Sequence, residues 1–598
     1  MSSPAEPMMP PSWSLQDLYR SGAEDPQLAL DMENAPVLAG QFASIYRGFW
    51  AKSVQTQGEI LKAIEDYQAL QEKLDRPLVF AMLHHSALTT DPARGKLLSQ
   101  AREAHSRANR DLIFFELEWI QLPQDEADKI LALKEIAKYS HWLSQRRVFR
   151  PHTLSEPEEK IAERKQLSGR SAFRRYFDET ISGLRVAQGE GKEVSLQVAL
   201  SMLYDPVRSV RQNAAQAITR TLKTREKDMG FVLNTLVLEH RDDCDMRSYQ
   251  QPDDPRNLSN QVDSSLVRMV MEVVESRQDL VARYYKIKGR LLGIAHLEDH
   301  DRYAPLPGDA GTMNWAEARE LVVNSYGAFH PEAGRIVSLF FEKDWIDAQP
   351  RDGKRSGAFC ASGLASQHPY SLMSFTGRMR DVSTLAHELG HGLHQYLARD
   401  RGHLQADAPL VLAETASVFG EMLVYRNILN RTNDKNQRIL LMGGKIEDSF
   451  ATIFRQIVLT RFEHEVHRLR KEDGELSLTT LAKVWMETNQ KMFGESLCLN
   501  EGYSNWWSYI GHFIHSPFYC YAYAFGELLV LALYAKYIEE GPAFPAKYME
   551  FLAAGGSEKP SVLLEKMGLD WSKPEFWLKG LGVLENDVTT MEKLAGST

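Results

Sequence analysis

Residues 381–400 have the sequence DVSTLAHELGHGLHQYLARD, which has the pattern of an amphipathic helix. At about 100° of rotation per residue, its apolar residues fall on one face and its histidines on the opposite face. The apolar face holds Val382, Leu385, Leu389, Leu393 and Tyr396, and the polar face holds His387, His391 and His394. Asp381 is the predicted N-cap of this helix.

The five residues HELGH, His387 to His391, predict a metal site on the polar face. Histidines four positions apart in a helix direct both imidazoles at one point, which suits two ligands of a tetrahedral Zn²⁺. Glu388 lies next to the first histidine and is the predicted general base for a water molecule. The alternative is that His387 and His391 are polar residues on a solvated helix face.

A second helix is predicted at residues 407–426, DAPLVLAETASVFGEMLVYR, which is apolar on nearly every side. Carboxylates are costly in a buried helix unless they are paired or bind a metal. Glu414 is therefore the predicted third metal ligand. Glu421, seven residues later on the same face, is predicted to orient a ligand imidazole. The alternative for each glutamate is a buried ion pair with an arginine or lysine.

Most of the remaining chain has helical periodicity, so the predicted fold class is mainly α. Helical patterns occupy residues 38–200, 205–244, 264–292 and 315–339, with breaks predicted at Arg76-Pro77, Asp91-Pro92, Leu122-Pro123 and Arg150-Pro151. Residues 188–193 are a predicted linker. Residues 356–377 are rich in Gly, Ser and Ala, which indicates a strand pair or an edge strand with a flexible loop, although an ordinary loop is the alternative.

The composition is that of a folded protein in a reducing compartment. The 598 residues include 70 Lys and Arg against 80 Asp and Glu, so a basic field that would hold nucleic acid is not expected. The four cysteines have no paired spacing. The N-terminus lacks a signal-peptide pattern and is predicted to be a loose tail. The apolar stretch at 513–535 contains His515, Pro517 and Glu527, so a membrane span is not expected there, and a cytoplasmic protein is predicted.

Residues 511–526, GHFIHSPFYCYAYAFG, combine His512 and His515 with three tyrosines. The simplest interpretation is an aromatic helix in the core with each hydroxyl hydrogen-bonded. The chemical alternative is that neutral donors from this stretch stabilise the negative oxygen that develops during peptide hydrolysis.

Together these segments resemble the oligoendopeptidase F and thimet oligopeptidase family of zinc metallopeptidases. The resemblance rests on HELGHGLHQ at 387–395, AETAS with a second glutamate at 413–421, the Gly- and Ser-rich segment at 357–375, and residues 511–526. Residues 17–35 also look like the family's opening, and the match is closer to the oligoendopeptidase F branch. One departure is Gly420, where that branch commonly has Asn.

The resemblance implies a two-lobed helical ellipsoid with a deep central channel and one Zn²⁺ per chain. It implies an N-terminal region, 1–200, forming part of the channel wall, and a catalytic domain, 201–598. In the family, a histidine and tyrosines of the last segment stabilise the oxyanion. That role falls here on His512 and on Tyr521, with Tyr519 as the second choice.

The predicted activity is endopeptidase cleavage of short unfolded oligopeptides, with the 357–374 element binding the substrate backbone as an added strand. A carboxydipeptidase with the same zinc chemistry is one alternative, and a non-catalytic helical scaffold that binds peptides is another. The sequence leaves open the side-chain preference, the physiological substrate, the oligomeric state and the replacement of zinc by another divalent metal.

Overall fold

The computed structural model describes residues 9–52, 56–189, 191–309, 311–361 and 363–596. Helices account for 72% of the described residues, which confirms the mainly α fold class. The first eight residues of the predicted N-terminal tail lie outside the described residues. No helix among the described residues is long and apolar enough to cross a membrane.

The helices and strands follow one another in four stretches of the chain. The first holds α1 Pro26–Tyr46, α2 Gln57–Ala87, α3 Pro92–Gln121, α4 Gln124–Leu131 and α5 Ser140–Arg147. The second holds α6 Glu156–Ser168, α7 Arg170–Gly183, β1 Arg185–Ala187, β2 Glu193–Ser195, α8 Leu196–Ser201, α9 Arg208–Lys223, α10 Glu226–Met246, α11 Asp254–Ser259, α12 Ser264–Glu275 and α13 Asp279–Leu292. The third holds α14 Trp315–Phe329, α15 Pro331–Glu342, β3 Ile346–Asp347, β4 Phe359–Ala361, β5 Tyr370–Leu372, α16 Met379–Ala398, α17 Leu410–Ala413 and α18 Thr415–Arg431. The fourth holds α19 Lys435–Thr452, α20 Phe454–Asp473, α21 Leu478–Phe493, α22 His512–His515, α23 Tyr521–Glu540, α24 Phe544–Ala553, α25 Pro560–Lys566 and α26 Pro574–Gly596.

The chain divides into two compact, discontinuous units. The first unit is Met1–Arg150, Gly311–Arg431 and Lys536–Trp571, and the second is Pro151–Ala310, Thr432–Ala535 and Ser572–Thr598. The predicted division after residue 200 assigns functional roles to two parts of the chain, and it stays a prediction.

In the first unit, α1, α2 and α3 pack around an aromatic core that includes Phe42, Tyr67, Phe115 and Trp119. In the same unit, α16 packs against α15, α18, α24 and the strands β4 and β5. The sheet order is β3-β5-β4, with β4 antiparallel and β3 parallel to β5. The strand pair predicted within residues 356–377 is therefore confirmed, and it lies against the helix that carries HELGH.

Three local predictions were wrong. Pro77 does not end a helix but lies inside α2. Residues Leu70 and Leu74 before it and Phe80 and Leu83 after it are all buried, so burial along one continuous helix outweighs the roughly 3 kcal/mol cost of an interior proline. The breaks at Pro92 and Pro123 are confirmed, since α3 begins at Pro92 and ends just before Leu122.

The predicted linker at 188–193 is wrong, because the residues on either side of it pair as a hairpin and its last residue, Glu193, begins β2. β1 and β2 pair antiparallel, with Ala187 opposite Glu193. Gly189 and Gly191 have φ values of 89° and 74°, which glycine adopts without steric cost.

Asp381 is not the N-cap of α16, which begins at Met379 with Arg378 as the N-cap residue. Asp381 Oδ2 nevertheless accepts hydrogen bonds from the backbone amides of Thr376 and Arg378. The carboxylate therefore stabilises the start of the helix from its third position.

Candidate metal centre

His387, His391 and Glu414 converge on one point in the first unit. His387 Nε2 lies 3.2 Å from His391 Nε2, and Glu414 Oε2 lies 3.4 Å from each of these two nitrogens. Ligand bonds of about 2.0–2.1 Å in a tetrahedral zinc site place the ligand atoms about 3.3–3.4 Å apart. The spacing and the chemistry of the three donors therefore both fit Zn²⁺, with a fourth position left for water.

A close approach of α16 and α18 brings Glu414 to the histidines. A Cβ on Gly390 would lie 2.3 Å from the carbonyl oxygen of Ala416, so only glycine permits this packing. Glu414 lies at the break between α17 and α18, where the predicted single helix is interrupted. Ser417 Oγ donates to Glu414 Oε2 at 2.7 Å and orients the carboxylate.

Glu421 orients one of the imidazoles, in agreement with the sequence-based prediction for it. The His387 Nδ1–Glu421 Oε1 distance is 2.6 Å, and Ser383 Oγ donates to Glu421 Oε2 at 3.1 Å. This hydrogen bond fixes the tautomer that presents Nε2 to the centre.

The ionisable groups of the centre shift one another's pKa values. Burial opposes ionisation of Glu414, but the hydrogen bond and charge of His391 lower the pKa of that carboxyl to about 2. Burial likewise opposes protonation of His387, but Glu421 and the nearby carboxylates raise its pKa to about 9. Glu414 is thus an anionic ligand at neutral pH, and a bound metal would displace a proton from His387.

Glu388 has the environment of a proton acceptor. Its side chain is only 5% exposed, and burial raises the pKa of its carboxyl. Within the described part of the chain, no group donates a hydrogen bond to Glu388 Oε2. An unpartnered buried carboxylate oxygen is costly in a structural role and is available to a water molecule.

His394 does not join the ligand group, although it belongs to the histidine face of α16. It is buried, and burial lowers the pKa of its imidazole to about 4. His394 is therefore a neutral core residue.

In the second unit, His512 lies beside two of the three tyrosines named from the sequence. His512 Nε2 is 3.4 Å from the Tyr523 hydroxyl, and the Tyr519 ring stacks beside His512 and packs edge-on against Tyr523. All three side chains are half-buried. Burial, together with the charge of Arg455, lowers the pKa of His512 and keeps its imidazole neutral.

Tyr521 has a different environment. It is 2% exposed, and its hydroxyl oxygen accepts a hydrogen bond from Asn260 Nδ2 at 2.8 Å. This is how a core tyrosine is satisfied. Tyr521 is the first residue of α23, whereas Tyr519 lies in the turn before that helix, so helical periodicity does not relate the two side chains.

Comparisons with known proteins show which family this chain resembles. A family model described as Peptidase family M3 matches residues 323–583, and one described as Oligopeptidase F matches residues 118–185. The chain belongs to peptidase family M3. Members of family M3 are generally metallopeptidases, and the chain is a peptidase.

Two relatives extend the similarity to nearly the whole chain. The chain is 26% identical to oligopeptidase PepF of Bacillus subtilis over 98% of its own length and 87% of the relative. It is 25% identical to the oligoendopeptidase F homolog of Lactococcus lactis, over 90% of each chain.

Solved structures share the fold. A protein from Chlamydophila abortus superposes with a TM-score of 0.86 at 22% identity, covering 98% of this chain and 100% of that one. Oligoendopeptidase-F from Enterococcus faecium gives a TM-score of 0.70 at 21% identity, covering 96% and 98%.

Gly420, the residue that departs from the oligoendopeptidase F pattern, has a structural explanation in this family M3 chain. A Cβ at position 420 would lie 1.7 Å from the hydroxyl oxygen of Tyr326. That hydroxyl donates to the carbonyl oxygen of Ala386 at 2.7 Å, directly before His387. Gly420 therefore makes room for Tyr326, which is hydrogen-bonded to α16, the helix that carries His387 and His391. The sequence did not reveal this role.

Replacing Glu421 with glutamine is expected to weaken metal binding without removing a ligand. Loss of such a partner of a ligand imidazole typically lowers metal affinity by about 10–100-fold. Competition with a fluorescent chelator measures this directly. Ser383→Ala, which removes only the hydroxyl that donates to Glu421, should have a smaller effect, and equal affinity in Glu421→Gln and the wild type would contradict the assignment.

Proposed function

We propose that this chain is a zinc-dependent endopeptidase that hydrolyses internal peptide bonds of short, unfolded oligopeptides. The observation that carries the proposal is the convergence of His387, His391 and Glu414 at ligand spacing. The oligopeptidase names of the relatives support the substrate class.

His387, His391 and Glu414 would hold the metal. Zn²⁺ bound there would supply Lewis acidity, which polarises a peptide carbonyl and makes water a stronger acid. Glu388 Oε2 accepts a proton from the attacking water, whose oxygen adds to the carbonyl carbon. When the C–N bond breaks, Glu388 returns that proton to the leaving amine nitrogen.

Strand β4 is the proposed binding edge for the substrate backbone. It is one of the two edge strands of the three-stranded sheet, and Gln395 of α16 donates to the backbone carbonyl of Cys360 at 3.3 Å. A peptide added as a further strand would be bound largely through its main chain, which permits broad sequence specificity.

His512 and nearby tyrosines would supply donors to the developing oxyanion, a role that the family resemblance assigns to them. A neutral imidazole and a phenol can both donate a hydrogen bond to a negative oxygen without adding a full charge to the ground state. Among the tyrosines, Tyr519 and Tyr523 beside His512 are better placed for this than the buried Tyr521.

Phenylalanine in place of each tyrosine separates these roles. Tyr523→Phe should lower kcat by about 10²–10³-fold with little change in KM, because an oxyanion donor acts mainly in the transition state. Tyr521→Phe should lower the free energy of unfolding by roughly 1–3 kcal/mol and leave kcat unchanged, because Asn260 loses its partner. Steady-state kinetics and thermal denaturation of both variants, with Tyr519→Phe, test the assignment; a kcat loss confined to Tyr521→Phe would reverse it.

Cleavage-site mapping on a mixed peptide library tests the function as a whole. Internal cuts in short peptides, with native globular proteins left intact, are expected. Release of C-terminal dipeptides alone would favour the carboxydipeptidase alternative. Binding of peptides without cleavage by the zinc-loaded protein would favour the non-catalytic scaffold.

A further inference from the structure

Phe518 occupies an unusual backbone conformation between His512 and the tyrosines. Its φ is 56°, in the left-handed region where a bulky side chain is rare. The residue joins the short helix α22 to the start of α23. Such a conformation persists only where surrounding contacts determine it.

A buried glutamate supplies one of these contacts. Glu463 of α20 accepts a hydrogen bond from the Phe518 amide, with an N–Oε1 distance of 2.9 Å, and is only 4% exposed. Within the described residues, no group donates to its other oxygen, Oε2. Burial raises the pKa of this carboxyl to about 8, although the Phe518 amide and Arg256 oppose the shift. Glu463 is thus mostly a neutral acid at pH 7.

The Phe518 side chain is held as well as its backbone. Its ring packs against the imidazoles of His240, His464 and His467, with centroid distances of 5.8, 5.1 and 4.7 Å. Phe518 is 0% exposed. The turn is therefore fixed at one residue by a hydrogen bond to the main chain and by packing of the ring.

The orientation of the peptide plane at Phe518 determines the position of the Tyr519 backbone. Rotation of that plane would move Tyr519 and then Tyr523 relative to His512. The present arrangement includes a 3.4 Å contact between His512 Nε2 and the Tyr523 hydroxyl. Displacement of about 1 Å at a reacting group can cost about 100-fold in rate.

We propose that Glu463 is a positioning residue that fixes the Phe518 turn and so aligns Tyr519 and Tyr523 with His512. The proposal rests on the proposed function, because it concerns the hydrogen-bond donors to the oxyanion that this function requires. Glu463 has no role in the metal centre. Its Oε2 lacks a hydrogen-bond partner, which costs folding free energy, so stability alone does not explain a carboxyl at this buried position.

Three variants test the proposal. Glu463→Leu removes the acceptor and should lower kcat about 10–100-fold with little change in KM. Glu463→Gln keeps an oxygen acceptor without charge and should stay within about threefold of the wild type, as expected if the native residue is a neutral acid. Asn234→Leu is the matched control, since Asn234 is also buried and its Oδ1 accepts a hydrogen bond from the backbone amide of Leu476 at 2.8 Å. It should lower the melting temperature and leave kcat unchanged.

Hydrogen exchange gives a readout that needs no activity. Peptides covering residues 516–520 should exchange faster in Glu463→Leu than in Glu463→Gln. Should Glu463→Leu fail to fold, exchange in the wild type decides the question. A Phe518 amide that exchanges as fast as a solvent-exposed loop amide would overturn the proposal.

Unchanged kcat in folded Glu463→Leu would overturn the proposal, as would an equal kcat loss in Asn234→Leu. Failure of the proposed function is visible separately. If His512→Ala keeps full kcat, the donor assignment in the second unit fails, whereas faster exchange in Glu463→Leu would still show that Glu463 fixes the turn.

Discussion

Glutamine in place of Glu388 is expected to lower kcat by at least the 10²–10⁴-fold that general acid–base catalysis typically contributes, with zinc content and fold retained. The carboxylate transfers the proton and does not ligate the metal, so an amide of nearly the same shape removes only the chemistry. Zinc analysis, circular dichroism and steady-state kinetics on one preparation measure all three properties.

Asp400→Asn is the control for the loss of one carboxylate. Asp400 follows the same helix, with its side chain 89% exposed, and its replacement should change nothing. Near-normal turnover in Glu388→Gln would remove Glu388 from the mechanism, and loss of zinc in that variant would make it a ligand or a partner of one.

Alanine in place of His387, His391 or Glu414 is expected to abolish stoichiometric zinc binding and activity together. A site with three protein ligands cannot hold its metal tightly after losing one of them. His394→Gln is the matched control, because His394 lies on the same helix outside the ligand group. That variant should keep one zinc per folded chain. If Glu414→Ala kept its zinc while Glu421→Ala lost it, the roles of the two glutamates would have to be exchanged.

Helix α16 and the candidate metal ligands could be predicted because they depend on local sequence patterns. The i and i+4 spacing of His387 and His391 fixes their relative direction within any helix. The cost of burying Glu414 pointed to a partner, and the structure places it next to both histidines. Periodicity of the same kind predicted the mainly α fold.

Predictions failed where distant contacts decide the outcome. Packing on both sides of Pro77 keeps α2 continuous, although proline alone favours a break. The hairpin that replaces the predicted linker depends on pairing between β1 and β2, and the Gly-rich sequence is equally compatible with a linker.

Close approaches between helices were the hardest features to predict from the sequence. Gly390 permits α16 to contact α18, and Gly420 makes room for Tyr326, but a single glycine in a helix pattern does not reveal its neighbour. The choice among the tyrosines also depended on a distant residue, since Asn260 is what marks Tyr521 as a core residue.

Zinc titration of chelator-treated protein, with peptidase activity followed at each addition, tests the central claim most directly. Activity should be absent without metal, rise linearly and reach its maximum at one zinc per chain, while Glu414→Ala gains none over the same range. Full activity in metal-free wild type, or a saturating one-zinc response in Glu414→Ala, would contradict the assignment of His387, His391 and Glu414 as the catalytic metal site.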